Sequence, residues 1–170
     1  MGHSQTISQP YIEAYMTEVL DLASTDRVLE IGTGSGCRAA VLAERCRHVY
    51  TIEIVPELGE RARGLHRKLG YGNISVRIGA GYRGAGAQHT PFDAVIVTCA
   101  PGDLPRPLQR QLREGGRMVI PVGSGFFQKL LLRRKDGRLE IESSLPVRFA
   151  PWSTRPAKST DTPRYSGPRM

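Results

Sequence analysis

Three features of the sequence predict an α/β fold, a doubly wound, mostly parallel sheet with an antiparallel C-terminal hairpin. Five short apolar segments of strand character alternate with helical segments. The first of them, Val28–Ile31, runs directly into a glycine-punctuated turn and then a helix. Towards the C-terminal end, Asp136-Gly137 separates two strand-like runs, which is a hairpin signal.

Taken in order, Met1–Pro10 (MGHSQTISQP) is polar and turn-like. A helix over Tyr11–Ala23 follows, because Ile12, Tyr15, Met16, Val19, Leu20 and Ala23 recur at three- and four-residue spacing. Ser8 reads locally as a cap for it, with Pro10 near its first turn. Asp26–Ile31 is the first strand, Arg38–Cys46 the second helix, His48–Ile54 the second strand and Glu57–Leu69 the third helix. A turn at Gly70–Asn73 leads to a third strand, Ile74–Ile78. Gly79-Ala80-Gly81-Tyr82 then forms a loop at the C-terminal edge of the sheet, where ligands of open α/β sheets bind. Arg83–Pro91 is expected to be flexible, ahead of a fourth strand at Asp93–Thr98 and a loop at Cys99–Gly102. A short helix over Leu104–Leu112 is expected to end by glycine capping within Arg113-Glu114-Gly115-Gly116. The fifth strand is Arg117–Pro121, followed by a turn at Val122–Gly125. Lys129–Arg134 and Leu139–Ser144 form the hairpin, and Val147–Phe149 continues its last strand. Residues 1–152 are read as one domain. From Ser153 on, Pro, Ser, Thr and Arg dominate, so 153–170 is expected to be a disordered tail.

Strand, glycine turn and helix together place backbone N–H groups against a nucleotide. Gly32-Thr33-Gly34-Ser35-Gly36 is that turn, and about twenty residues later Glu53 stands near the end of the second strand, suited to the ribose hydroxyls of a bound nucleoside. The dinucleotide fingerprint would put its third glycine at position 37, where this chain has Cys37. Glu30, just before the turn, would repel a pyrophosphate but suits the ammonium group of S-adenosylmethionine. The pattern therefore points to a methyltransferase of the Rossmann-like class I, S-adenosylmethionine-dependent type; the bland alternative is an ordinary tight turn.

The net charge is +8, and the tail carries Arg155, Lys158, Arg164 and Arg169 against one acid, Asp161, which leaves about +5 for the domain. Those charges are spread along the chain, apart from Arg133-Arg134-Lys135 beside a turn, which fits a solvated surface better than a nucleic-acid groove. Cys37, Cys46 and Cys99 have no CxxC spacing and read as reduced, buried or half-buried thiols of a cytoplasmic protein. No metal, no membrane partner and no nucleic acid is expected, and no heptad pattern suggests anything but a monomer. His3, His48, His66 and His89 show no catalytic pairing and read as surface or local structural residues. Tyr82 suits either an adenine contact or core packing, and Thr98 and Cys99 suit either the site or packing.

The methyl acceptor is narrowed by what the motifs lack. Thr98-Cys99-Ala100-Pro101-Gly102 has neither the double proline nor the aromatic used to orient an exocyclic amine, and no cysteine follows a proline as C5-cytosine chemistry would want. No carboxylate cluster suits the metal that catechol methylation needs. A carboxylate acceptor asks least: it ionises near ~4, needs no general base, and requires only placement and a hydrogen bond or two. A hydroxyl such as that of Ser8 or Thr6 would serve.

At this point the chain resembles the protein-L-isoaspartate (D-aspartate) O-methyltransferases, from Gly2 to about Trp152. The resemblance rests on QTISQPYIEAYMTEVL, VLEIGTGSG, VYTIEIVPEL, LGYGNISV, PFDAVIVTCAP and LREGGRMVIPVG, of which QTISQP is the most specific. It implies that Ser8 is the active-site serine and contacts the isoaspartyl carboxylate. It implies a cofactor set of Ile7, Glu30, Gly32, Thr33, Gly34, Ser35, Gly36, Glu53, Ile54, Ala80, Gly81 and Thr98, with Glu30 to Gly36 on the methionine part and Glu53 on the ribose. Gln5, Thr6, Ser8, Arg148 and Phe149 are implied to meet the substrate, the end of the last strand (Val147 to Pro151) closing over its backbone. The implied reaction consumes S-adenosylmethionine, releases S-adenosylhomocysteine, and esterifies isoaspartyl residues of proteins or peptides, which then collapse through succinimide and so are repaired. Three positions depart from the family. Ala80 replaces the Asp that receives the adenine amino group, a loss on the order of 1 kcal/mol. Cys37 replaces an aromatic, and the helical segment that usually precedes QTIS is read as absent.

Rival readings are a methyltransferase acting on a peptide aspartate during maturation, a non-catalytic binding module on the same fold, and, favoured only by net charge, a nucleic-acid methyltransferase. Salt-sensitive binding to DNA or RNA would mark the last.

Overall fold

The computed structural model describes residues 10–122 and 127–147. They form α1 (Pro10–Glu18), β1 (Arg27–Ile31), α2 (Cys37–Ala43), β2 (His48–Glu53), α3 (Pro56–Lys68), β3 (Ile74–Ile78), β4 (Phe92–Val97), α4 (Arg106–Gln111), β5 (Leu112–Val122), β6 (Phe127–Lys135) and β7 (Arg138–Val147), with single 3-10 turns at Gly81–Arg83 and Ala87–His89. The seven strands make one sheet in the order β3-β2-β1-β4-β5-β6-β7. β1 to β5 pair in parallel, and β5-β6-β7 pair antiparallel. The order reverses between β1 and β4, the switch point at which open sheets bind ligands.

Period-two alternation sorts β1 between two cores. Val28 joins Met16, Leu20, Ala39, Leu42 and Ile96 under α1 and α2. Leu29 and Ile31 join Val95, Val97, Leu108, Met118 and Ile120 under α4. Glu30 has the parity of Val28 and so faces the α1/α2 side. The predicted α/β class, the alternation of strands with helices and the hairpin are all present; Asp136 (φ 51°) and Gly137 (φ 74°) turn the hairpin as a left-handed pair.

Several expectations change. α1 ends at Glu18 rather than Ala23: Leu20 N–H goes to Thr17 O and Asp21 N–H to Glu18 O, tightening the last turn until Asp21 takes φ 44°. Asp26 is not a strand residue but a buried anchor, its Oδ2 receiving Ala23 N–H and the Arg117 guanidinium. Arg83–Pro91 is not a loose segment: Ala85 is buried, and the Gln111 amide binds Arg83 O and Ala85 N. The residues Arg113–Gly116 do not cap a helix. α4 has already ended at Gln111, because Leu112 pairs with Phe92 in the sheet and both side chains are fully buried; 113–116 bulge before Arg117 rejoins beside Ala94. Tyr82 is 47% exposed, which removes the core-packing alternative, and Cys37 is exposed rather than half-buried.

Among the described residues no helix is long and apolar enough to cross a membrane, and no group of three or more His, Cys, Asp or Glu is placed to hold a metal.

Candidate active site

Among the described residues, six of the seven buried polar or charged side chains, all but Asp26, gather at one place. Glu30, Thr33, Arg38, Thr51, Glu53 and His66 are all buried, and all belong to the C-terminal ends of β1 and β2 or to the segments packed on them. Burying polar groups is costly unless they are partnered, so these contacts define what the region is built to hold.

The turn after β1 is fixed from several directions. Gly32 N–H continues the ladder to Ile52 O, and Thr98 N–H does so to Ile31 O. The Thr98 hydroxyl reaches Ile31 O at 3.0 Å and Gly32 O at 3.2 Å. Gly32 takes φ 98°, and a β-carbon there would stand 2.1 Å from that hydroxyl oxygen, so both conformation and room demand glycine. Glu53 spans the turn: its Oε2 accepts Gly34 N–H at 2.8 Å and its Oε1 accepts Val55 N–H at 3.0 Å. Ser35 is exposed and accepts the Cys37 N–H on its hydroxyl at 3.4 Å. Gly81 brings the next loop against β1, where an added β-carbon would fall 2.4 Å from Ile31. Ala80, beside it, is exposed and extended, and Ile54 is half-buried at the end of β2.

Glu30 anchors the floor. Its Oε2 accepts the Thr51 hydroxyl at 2.6 Å, and Thr51 lies 2.6 Å from the Thr33 hydroxyl. Since the Thr51 proton goes to Glu30, Thr33 is the donor in the second bond. Burial pushes the Glu30 carboxyl up to about 7, against the Arg38 charge and the Thr51 bond, which pull it down. Arg38 is itself buried and pairs with Glu13 of α1 at 3.2 Å. A buried carboxyl that titrates near neutrality, within the field of a guanidinium, can receive a cationic group by ionising on its arrival. The two inner thiols offer no such chemistry: burial pushes Cys46 up to about 11 and Cys99 up to about 12, so neither is a thiolate at neutral pH.

The structure thus brings together Glu30, Gly32, Thr33, Gly34, Ser35, Gly36, Glu53, Ile54, Gly81 and Thr98, with Ala80 at the rim. Gln5, Thr6, Ile7, Ser8, Arg148 and Phe149 lie outside the described residues, as does the tail. Three participants have no place in the sequence reading as site residues: Thr51, Arg38 and His66, whose Nε2 meets Gly36 O at 2.8 Å. Thr51 is detectable as the strand partner of Glu30, and His66 by its four-residue spacing from Leu58 and Ala62. Arg38, on a short helix, gives no such signal.

Known proteins resemble this chain over most of its length. The sequence pattern of the family described as Protein-L-isoaspartate(D-aspartate) O-methyltransferase (PCMT) matches residues 1–157. A Polaromonas sp. protein named protein-L-isoaspartate O-methyltransferase 2 is 52% identical over 154 residues, which is 89% of this chain and 72% of that one. A namesake from Syntrophobacter fumaroxidans is 53% identical over 154 residues, 89% of this chain and 62% of its own length. Among solved structures, a protein-L-isoaspartate O-methyltransferase superposes with a TM-score of 0.82 at 30% identity, covering 92% of this chain and 51% of that one. A Plasmodium falciparum structure, titled as a putative enzyme of the same name in complex with S-adenosyl-L-homocysteine, shares the fold at a TM-score of 0.75 and 22% identity, over 91% of this chain and 79% of its own. This chain therefore spans between about half and four fifths of the length of these relatives, and it belongs to the protein-L-isoaspartate(D-aspartate) O-methyltransferase family, whose methyl donor is S-adenosylmethionine.

Proposed function

We propose that this chain transfers the methyl group of S-adenosylmethionine to the side-chain carboxylate of L-isoaspartyl, or D-aspartyl, residues in proteins and peptides, the step that opens their repair through succinimide. The observation that carries the reading is the buried Glu30 carboxyl beneath a turn of three left-handed glycines, braced by Glu53, in a chain of this family. The free oxygen of Glu30 and the unpartnered donors of Arg38 are buried polar atoms that a charged ligand would satisfy, so the residues present fit the donor.

When bound, the donor supplies a methyl group on a positively charged sulfur. Glu30 holds the ammonium end, Gly32 to Gly36 the methionine part, and Glu53 the ribose side, for which its carboxylate would exchange its contact with Gly34 N–H. Ile7, Ile54, Ala80, Gly81 and Thr98 complete the cofactor surface. Ser8 positions the acceptor carboxylate by a hydrogen bond, with Gln5, Thr6, Arg148 and Phe149 around it. No residue has to remove a proton, since the acceptor is ionised already at neutral pH. We read residues 1–152 as the catalytic unit, working as a cytoplasmic monomer without nucleic acid, membrane or metal.

The test is methyl transfer from labelled S-adenosylmethionine to paired peptides carrying Asp or isoAsp at one position. Base-labile label on the isoAsp peptide alone, lost in Ser8→Ala, is the expected result. Equal labelling of the Asp peptide, or none of either while the cofactor binds, would replace this acceptor with another.

A further inference from the structure

The charged groups under the turn are incomplete in a specific way. Arg38 is 6% exposed, and one nitrogen, Nη2, meets Glu13 Oε1 at 3.2 Å, yet Nε and Nη1 have no hydrogen-bond partner among the described residues. Glu30 is fully buried; Thr51 occupies Oε2, and Oε1 has no partner among the described residues. Five buried side-chain polar atoms lack partners among the described residues, and three of them belong to this one Arg–Glu couple. Arg38 is also the strongest charge acting on Glu30. Glu30 has the parity of Val28, which packs with Ala39 and Leu42 of α2, so the two charged side chains lie in the same layer.

Charged atoms this deeply buried are costly to leave unmade, and a guanidinium offers donors only. An unmet cationic donor set in the same layer as an unmet carboxylate oxygen, close enough to act on its charge though not ion-paired with it, complements one ligand chemistry in particular, the zwitterionic end of an α-amino acid. We infer that Arg38 is the residue that takes the α-carboxylate of S-adenosylmethionine, opposite Glu30 on the ammonium. This rests on the functional reading above and adds a specificity-determining residue to it. Glu13 holds one end of the guanidinium from the α1 side and leaves Nε and Nη1 for another partner. Discrimination follows from the arrangement: a donor lacking the carboxylate would leave Arg38 buried and unmet, whereas the natural one satisfies it.

The experiment is titration calorimetry of wild type and Arg38→Gln with two probes, S-adenosylmethionine and its decarboxylated analogue. Wild type should prefer the carboxylated compound, and that preference should fall roughly tenfold to a hundredfold in the variant. Affinity for the decarboxylated probe should change little, and any indirect effect on Glu30 cancels in the ratio. Weakening of both probes alike would reduce Arg38 to a packing brace and overturn the inference; weakening of neither would do the same. Should Arg38→Gln not fold, Arg38→Lys keeps the charge and drops Nε, and its ratio should fall between the two. Wild type that binds neither probe would instead overturn the functional reading itself.

Discussion

His66 stands directly beneath Gly36. Its Nε2 lies 2.8 Å from the Gly36 carbonyl oxygen, and a β-carbon built on Gly36 would fall 2.7 Å from that same nitrogen. The bond requires the Nε2–H tautomer, because a carbonyl only accepts. Gly36 also takes φ 81°, so the last glycine of the turn answers two demands at once, a left-handed backbone and a histidine where a side chain would be. α3 thereby carries part of the shape of a turn that lies thirty residues earlier.

Gly36→Ala should cost about 2 to 4 kcal/mol, combining left-handed strain with the clash. His66→Ala alone should cost about 1 to 2 kcal/mol by stranding the carbonyl. The double variant should be less destabilised than the sum, since removing the ring relieves the clash. Urea unfolding of the four proteins measures the coupling, and strict additivity would mean that the ring does not constrain position 36.

How far this region was legible depends on how local its signals are. The turn, Glu30 and Glu53 can be read because strand alternation and glycine spacing are short-range patterns, and the hairpin can be read because Asp136-Gly137 specifies its own turn. Arg38 could not be read: a charged residue in a short helix looks solvated until Glu13 and Glu30 are seen around it. Arg113–Gly116 misled for the opposite reason. Gly115 is left-handed, as a helix cap would be, but the pull of Leu112 into the sheet beside Phe92 had already ended the helix. That pull is a long-range packing term, invisible in the four residues themselves.

Asp26 and Arg117 make a second testable couple, 2.5 Å apart and both largely buried. Asp26 also takes Ala23 N–H, and Arg117 also binds Asp21 O, so the pair staples the α1–β1 connection to β5. Asp26→Ala should lower stability by about 3 to 5 kcal/mol, because it strands a buried guanidinium. Adding Arg117→Met should restore part of that loss. A single variant that unfolds at the wild-type urea concentration would show that the staple is not needed.

Glu30 makes stability fall with rising pH over a defined window. Its carboxyl is raised from 4.5 to about 7 in the folded chain, so the folded state holds a proton that the unfolded state has released. The contribution is complete below pH 4.5, declines between 4.5 and about 7, and is gone above, with a slope no steeper than about 1.4 kcal/mol per pH unit. Stability of wild type minus that of Glu30→Gln, followed by urea unfolding across this range, should trace that decline. A flat difference would place the carboxyl outside its buried setting.

Thr51→Val tests whether that carboxyl is tuned by its hydroxyl partner. Valine keeps the shape of threonine and removes the donor to Glu30 Oε2, the bond that favours the ionised form. The Glu30 carboxyl should then rise further above about 7. An ammonium ligand binds the carboxylate, not the acid, so cofactor affinity in wild type should climb as pH passes through about 7. In Thr51→Val the midpoint of that climb should move to higher pH, while affinity at the alkaline plateau changes less. Thr51→Ser, which restores the hydroxyl, should return the midpoint. Calorimetric affinities across the pH range measure all three proteins. If the midpoint stays fixed in Thr51→Val while overall affinity drops, the threonine supports the turn through Thr33 rather than through the charge of Glu30.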